Sequence, residues 1–173
     1  ISGIRGTIGG KPSENLTPLD AVKFAAAYGS WLKTEHNTLN KLTVVVGRDA
    51  RISGKMIQNL VTNTLIGMGI HVVDLGLSTT PTVEMAVPNE AAQGGIILTA
   101  SHNPKQWNAL KLLNEKGEFL NAEQGEKILE YAENEDFDFA EVDNLGRMHT
   151  NSAYIDFHIE QVLKHPLVQT KKI

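Results

Sequence analysis

The chain has 173 residues, of which 41% are apolar and 21% charged, and its formal net charge is −4. This composition is typical of one globular domain that buries a core without disulfides or structural metal. The chain contains no Cys, which excludes thiol nucleophiles and Cys-based zinc sites and favours a reducing compartment such as the cytoplasm. Because the chain is acidic and shows no basic patch, we expect neither nucleic acid nor a membrane as partner.

The apolar runs are short, and the N-terminus has no targeting pattern. Runs such as 44–46 and 96–98 fall far below the ~20 residues that cross a bilayer. The chain opens at Ile1 without an initiator Met and without a charged-then-apolar leader. We therefore expect a protein without a membrane anchor, trimmed from a longer chain.

Helices and strands are predicted to alternate along the first hundred residues. Thr17 and Pro18 predict the start of a helix that extends to about His36, because Thr caps helix N-termini and Pro suits the first turn. The β-branched run at 42–46 predicts a buried strand. The following elements are predicted in this order: a helix at 52–68, a strand at 71–75, a short helix from Thr80 and a strand at 94–100.

The second half of the chain continues the alternation of helices and strands, and the complete pattern predicts the fold class. We predict a strand at 108–113, a turn at 114–118, a helix at 122–133, a surface connection at 134–144 and a helix at 152–164. The alternation predicts an α/β fold of three layers, α/β/α, around a mostly parallel (mixed) sheet of about four main strands. Residues 1–150 would form this domain. Residues 151–173 would form a helical linker toward a second domain, with 171–173 leading into its first strand.

A hydroxyl-rich loop at 99–104 is the strongest candidate for a site. It follows a predicted strand, where ligands of α/β sheets bind, and Asn103-Pro104 favours a sharp turn. Ser101 could be a nucleophile, or it could only cap the turn. A serine hydrolase is less favoured, because adjacent extended residues such as Ser101 and His102 point to opposite faces and no G-x-S-x-G motif is present.

Three cationic residues could hold an anion near this loop. Lys111 lies between Leu residues in a predicted strand, so it needs an anionic partner if that face is covered, or faces water if the strand is at an edge. Arg5 in the loop 2–10 and Arg48 in the loop 47–51 are surrounded by small residues, which allow close approach of a phosphate. Both could equally be solvated loop arginines. Neither loop matches a nucleotide-binding motif.

Three segments together resemble the α-D-phosphohexomutases, the phosphoglucomutase and phosphomannomutase superfamily. They are Ser-Gly-Ile-Arg-Gly at 2–6, Gly-Arg-Asp-x-Arg at 47–51, and Thr-Ala-Ser-His-Asn-Pro at 99–104 followed by Asn108 and Lys111. The resemblance implies the first of four domains, in an enzyme that interconverts hexose 1- and 6-phosphates, with glucose or mannose as the expected sugar. One departure is Ala109, where the family commonly has Gly.

The resemblance also implies roles for individual residues. Ser101 would carry the phosphoryl group, and Mg²⁺ would reach this chain only through that phosphate, with carboxylate ligands on a later domain. The candidates for acid or base assistance are Arg5, His102 and Lys111, and those for phosphate binding or loop support are Arg48, Asn103 and Asn108. The pair Asp136 and Asp138 lacks the surroundings of a metal loop and is expected to be structural.

A phosphosugar-binding module that performs no transfer is the alternative to an enzyme. Such a module could have lost any of the reactive residues, whereas this chain retains Ser101 together with Arg5, His102 and Lys111. The retained residues favour the enzyme. The sugar would be read by other domains, and the sequence gives no indication of the oligomeric state.

Overall fold

The computed structural model describes residues 3–168, which form five α-helices and a six-stranded sheet. The strands are β1 (Ile4–Thr7), β2 (Thr43–Arg48), β3 (His71–Leu77), β4 (Gly94–Leu98), β5 (Trp107–Leu113) and β6 (Met148–Thr150). The helices are α1 (Pro18–Glu35), α2 (Gly54–Gly67), α3 (Thr80–Asn89), α4 (Ala122–Asn134) and α5 (Tyr154–Lys164). No helix within residues 3–168 is long and apolar enough to cross a membrane.

The sheet is mixed, as predicted, with the strand order β1-β5-β4-β2-β3-β6. Strands β4, β2, β3 and β6 are parallel, and β5 is antiparallel to both of its neighbours. The four main strands expected from the sequence are β2 to β5. The carboxyl ends of β2 and β4 lie side by side, so the loops that follow them meet at one edge of the sheet.

Two edge strands were not predicted. The segment 2–10 was expected to be a loop, but Ile4–Thr7 pair with β5, with Ile4 opposite Leu110 and Arg5 opposite Ala109. Ser2 lies outside the described residues. At the other edge, Met148–Thr150 pair with β3 although all three are exposed. Both strands depend on pairing with a partner strand rather than on a hydrophobic pattern of their own.

Helices cover both faces of the sheet, which confirms the three layers. The larger core lies between the sheet and helices α1, α2 and α4, and includes Val44, Ile96 and Leu110. The smaller core lies under α3 and α5, and includes Val45 and Ile97. Successive residues of one strand therefore enter different cores, as the pleat requires.

The predicted cap of α1 is confirmed. Thr17 accepts a hydrogen bond from the backbone N–H of Asp20, and the Asp20 carboxylate accepts one from the backbone N–H of Thr17. Burial raises the pKa of Asp20, but hydrogen bonds from Thr17 and Ser13 outweigh it and hold the pKa below its usual value. The two side chains thus satisfy helix N–H groups that would otherwise lack a partner.

Replacing Thr17 by Ala is expected to lower the free energy of unfolding by about 1 kcal/mol, the usual cost of losing such a cap. Urea denaturation of the chain would measure this loss. Thr38→Ala is the matched control, because Thr38 is exposed and lies in the loop after α1. Equal losses in the two variants would contradict the importance of the cap.

Helix α5 packs on α3. Its His158 Nδ1 lies 2.9 Å from Thr82 Oγ1, and the Tyr154 hydroxyl donates to Glu90 Oε1 at 2.7 Å. The described part of 151–173 therefore begins against the α/β unit. That this segment links to a second domain stays a prediction, and residues 171–173 lie outside the described residues.

Candidate active site

The loop after β4 presents Ser101 in an unusual backbone conformation. Ser101 is exposed and has a φ of 55°, in the left-handed region that residues other than Gly and Asn rarely occupy. Its backbone N–H donates to Thr99 Oγ1 at 3.0 Å. Such a conformation costs of order 1–3 kcal/mol and persists only where surrounding contacts impose it.

Arg51 supplies most of these contacts. Its guanidinium donates to four backbone carbonyl oxygens between positions 101 and 107, at distances of 2.8 to 3.0 Å: those of Ser101, Asn103, Pro104 and Trp107. Arg51 was not among the predicted site residues. It is the second arginine of the Gly-Arg-Asp-x-Arg segment, but the sequence does not reveal that its partners are backbone carbonyls 50 to 56 positions away.

Asp49 connects Arg51 to Thr99. Its carboxylate accepts from Arg51 Nε at 3.1 Å and from Thr99 Oγ1 at 2.7 Å. Arg48 donates to the backbone oxygen of Asp49 at 3.0 Å and to Gln58 Oε1 at 3.1 Å. Arg48 therefore contacts the backbone of this loop, while the Asp49 carboxylate pairs with Arg51.

Arg5 reaches the Ser101 loop from β1. Its Nη1 donates to Asn103 Oδ1 at 2.9 Å, and the residue is exposed. Because Arg5 lies opposite Ala109 in an antiparallel pair, its side chain is on the same face of the sheet as Ala109 and Lys111. The structure thus brings Arg5, Asn103 and Ser101 together.

His102 lies beside Ser101 but makes a long contact with it. The distance from His102 Nδ1 to Ser101 Oγ is 3.4 Å, and both residues are exposed. Within residues 3–168 no carboxylate is hydrogen-bonded to His102. A serine hydrolase needs such a group to orient its imidazole, so the geometry does not favour that alternative.

Lys111 lies inside the sheet rather than at its edge, because β5 is flanked by β1 and β4. Its Nζ is 5.5 Å from the centroid of the Phe119 ring. Burial raises the pKa of the Glu84 carboxyl, and the positive charge of Lys111 opposes this shift. Among residues 3–168 no hydrogen bond joins Lys111 to Ser101 or Arg5. Lys111 shares their face of the sheet without contacting the loop.

Asn108 is fully buried on the other face of β5. Its Nδ2 donates to Ser53 Oγ at 2.9 Å, so it joins β5 to the N-terminus of α2 and does not reach the surface beside Ser101. The neighbouring Ala109 has a negative φ, so the backbone there does not require the glycine that the family commonly has.

The backbone of Asp136 and Asp138, in the connection after α4, is hydrogen-bonded to α1. The backbone oxygen of Asp136 accepts from Ser30 Oγ at 3.2 Å, and that of Asp138 accepts from Lys33 Nζ at 2.7 Å. Within the described part of the chain, no group of three His, Asp or Glu side chains could hold a metal ion.

One cavity lies away from these residues. It has a volume of about 850 Å³, is lined by residues such as Leu42 and His71 at the start of β2 and β3, and includes none of the predicted site residues. A smaller cavity of about 270 Å³ adjoins Arg5. Most of residues 101–106 are exposed, Ser101 and His102 among them.

Comparison with known proteins gives the same family as the sequence motifs. The family model described as phosphoglucomutase/phosphomannomutase, alpha/beta/alpha domain I, matches residues 1–139. A phosphoglucomutase/phosphomannomutase of Thermococcus kodakarensis is 37% identical over 145 residues, which are 83% of this chain and 31% of that protein. A phosphoglucosamine mutase of Levilactobacillus brevis is 34% identical over 173 residues, with 95% of this chain and 37% of that protein covered.

Solved structures support the fold independently. A phosphoglucomutase/phosphomannomutase family protein of Burkholderia thailandensis superimposes with a TM-score of 0.76 at 23% identity, covering 94% of this chain and 34% of that one. At this identity the likeness concerns the fold. The chain spans about a third of the length of the curated relatives it matches. With a family model that covers most of its length, the chain belongs to the phosphoglucomutase/phosphomannomutase family and contains its α/β/α domain I.

Proposed function

We propose that this chain is the serine-bearing domain of a phosphohexomutase, in which Ser101 carries a phosphoryl group between positions 1 and 6 of a hexose. The observation that supports it is the exposed Ser101, held in a left-handed turn close to Arg5, which is also exposed and donates one hydrogen bond within residues 3–168. A phosphoserine in this turn would be close to the Asn103 partner Arg5, whose remaining N–H donors have no acceptor among residues 3–168.

The reaction would run in two transfers. In the first, the bond between phosphorus and Ser101 Oγ breaks, a bond to the free hydroxyl of a hexose monophosphate forms, that hydroxyl loses its proton, and Ser101 Oγ takes up a proton. The resulting hexose 1,6-bisphosphate then returns its other phosphoryl group to Ser101. Phosphoryl transfer depends mainly on positioning and charge stabilisation, for which we propose Arg5 and Lys111, with Lys111 or His102 accepting the proton.

We further propose Mg²⁺ as cofactor, bound to the phosphate on Ser101. Within residues 3–168 no group of three His, Asp or Glu side chains could hold a metal ion, and the Asp49 carboxylate already accepts hydrogen bonds from Arg51 and Thr99. The remaining ligands would have to come from another part of the protein. Glucose and mannose phosphates are the proposed substrates, with a phosphoglucosamine mutase also among the relatives. The proposed location is the cytoplasm.

The full-length enzyme is expected to carry about one phosphate, on Ser101, because a phosphoserine gains from the neighbouring cations. Intact-mass measurement followed by peptide mapping would locate it. The Ser101→Ala variant, purified in the same way, is the control and should lack that mass. A fully active enzyme with Ser101 unmodified would refute the phosphoserine, and tight sugar-phosphate binding without turnover would favour the binding module.

A further inference from the structure

We infer that Arg51 is a positioning residue for phosphoryl transfer: it holds the backbone that presents Ser101 and does not itself bind the substrate. This inference rests on the proposed function, and it concerns a residue outside the set that the family motifs suggested as reactive. It is carried by the hydrogen bonds of the Arg51 guanidinium, by its burial and by the backbone of Ser101.

All donors of Arg51 are engaged. A guanidinium has five N–H groups, and those of Arg51 donate to the four loop carbonyls and to the Asp49 carboxylate. Arg5, in contrast, donates one hydrogen bond within the described residues, to Asn103. The two arginines therefore have different roles. The hydrogen-bond donors of Arg51 all bind groups of the protein, whereas Arg5 has N–H donors that, within residues 3–168, remain available for a phosphate.

The burial of the two side chains supports this division. The Arg51 side chain is 11% exposed, whereas Arg5 is exposed to solvent. A substrate phosphate could contact Arg51 only by displacing loop carbonyls. Because those carbonyls hold the reactive residue in place, such displacement would disorganise the site that the phosphate had entered.

The hydrogen bonds close a ring around the backbone of Ser101. The carbonyl oxygen of Ser101 accepts from Arg51 at 2.8 Å, and its N–H donates to Thr99 Oγ1 at 3.0 Å. Thr99 in turn donates to the Asp49 carboxylate, which accepts from Arg51. Both peptide groups that flank Ser101 are thus fixed, which explains how a serine retains a φ of 55°.

Lysine cannot replace Arg51 in this arrangement. Its ammonium has three donors at a single point, whereas the guanidinium spreads five over a planar fork. Arg51→Lys keeps the charge and loses the simultaneous contacts with both ends of the loop. The variant therefore separates positioning from charge.

The test uses Arg51→Lys and Thr99→Val in the full-length enzyme, with Arg147→Lys as control, because Arg147 is exposed and adjoins the cavity at the start of β2 and β3. We expect Arg51→Lys to lower kcat by about 100-fold, the size of effect that a displacement near 1 Å produces, with KM for the hexose phosphate changed by less than about threefold. Thr99→Val should lower kcat in the same way by about tenfold. The amide NMR signals of Ser101, His102 and Asn103 should shift in the isotope-labelled 173-residue chain.

The outcomes are separable. A raised KM with kcat retained would mean that Arg51 binds the substrate, and an Arg51→Lys enzyme as active as the control would also overturn the inference. If Arg51→Lys does not fold, as a thermal melt would show, the kcat and KM of Thr99→Val decide. A wild-type enzyme without mutase activity would refute the proposed function, and the catalytic part of this inference with it.

Discussion

Replacing Ser101 by Ala is expected to lower the turnover of the full-length enzyme by at least ~10³-fold, because the variant has no oxygen to carry the phosphoryl group. Lys111→Ala should lose less, since it removes one electrostatic contribution while the covalent step remains. Steady-state assays of hexose 1-phosphate to hexose 6-phosphate conversion would measure both.

The stability of the Ser101→Ala variant should barely change, because the exposed hydroxyl contributes little to packing. The hydrogen bonds that hold the loop come from the backbone of Ser101 and persist in Ala. A thermal melt that matches wild type would therefore show that lost turnover reflects lost chemistry. Activity within tenfold of wild type would remove Ser101 from the mechanism.

The 173-residue chain by itself is expected to fold cooperatively and to show no measurable mutase activity, even with Mg²⁺ and hexose 1,6-bisphosphate added. Two cores, one on each face of the sheet, support independent folding. Catalysis, however, would need metal ligands and sugar contacts that the described residues do not complete. Losing such positioning can remove about 7–11 kcal/mol of barrier reduction.

A thermal melt and a coupled assay at high protein concentration would test this together, with the full-length enzyme as the positive control. A chain that lacks a cooperative transition would contradict its independence as a domain. Steady turnover by the chain would instead show that the catalytic residues all lie within these 173 positions.

Those helices and strands that carry a signal in their own local sequence were predictable. The β-branched run at 42–46 and the Thr17 cap are such signals, and both lie where expected. The strand Ile4–Thr7 gave no such signal, because it is short, contains a Gly and is stabilised by strand β5, which lies far away in the sequence. The strand Met148–Thr150 also gave no signal, because its three residues are exposed and carry no hydrophobic pattern.

The site was predictable in its reactive residues and less so in its supports. Ser101, Arg5 and Asn103 could be grouped because each lies in a recognisable motif, and the structure brings them together. Arg51 was missed as a support because its acceptors are backbone carbonyls, which no residue type reveals. Asn108 is buried because Ser53 satisfies its amide, and that partner lies 55 positions away.

The pairing of β1 with β5 determines when the site can form. Arg5 meets Asn103 across 98 positions, and closing a loop of this length costs entropy that local contacts do not offset. At a synthesis rate of about 5–20 residues per second, Arg5 is synthesised on the order of 5–20 s before Asn103. Until then the segment 3–7 has no strand to pair with. Arg5 is therefore synthesised before the other cations of the site but is among the last of them to reach it.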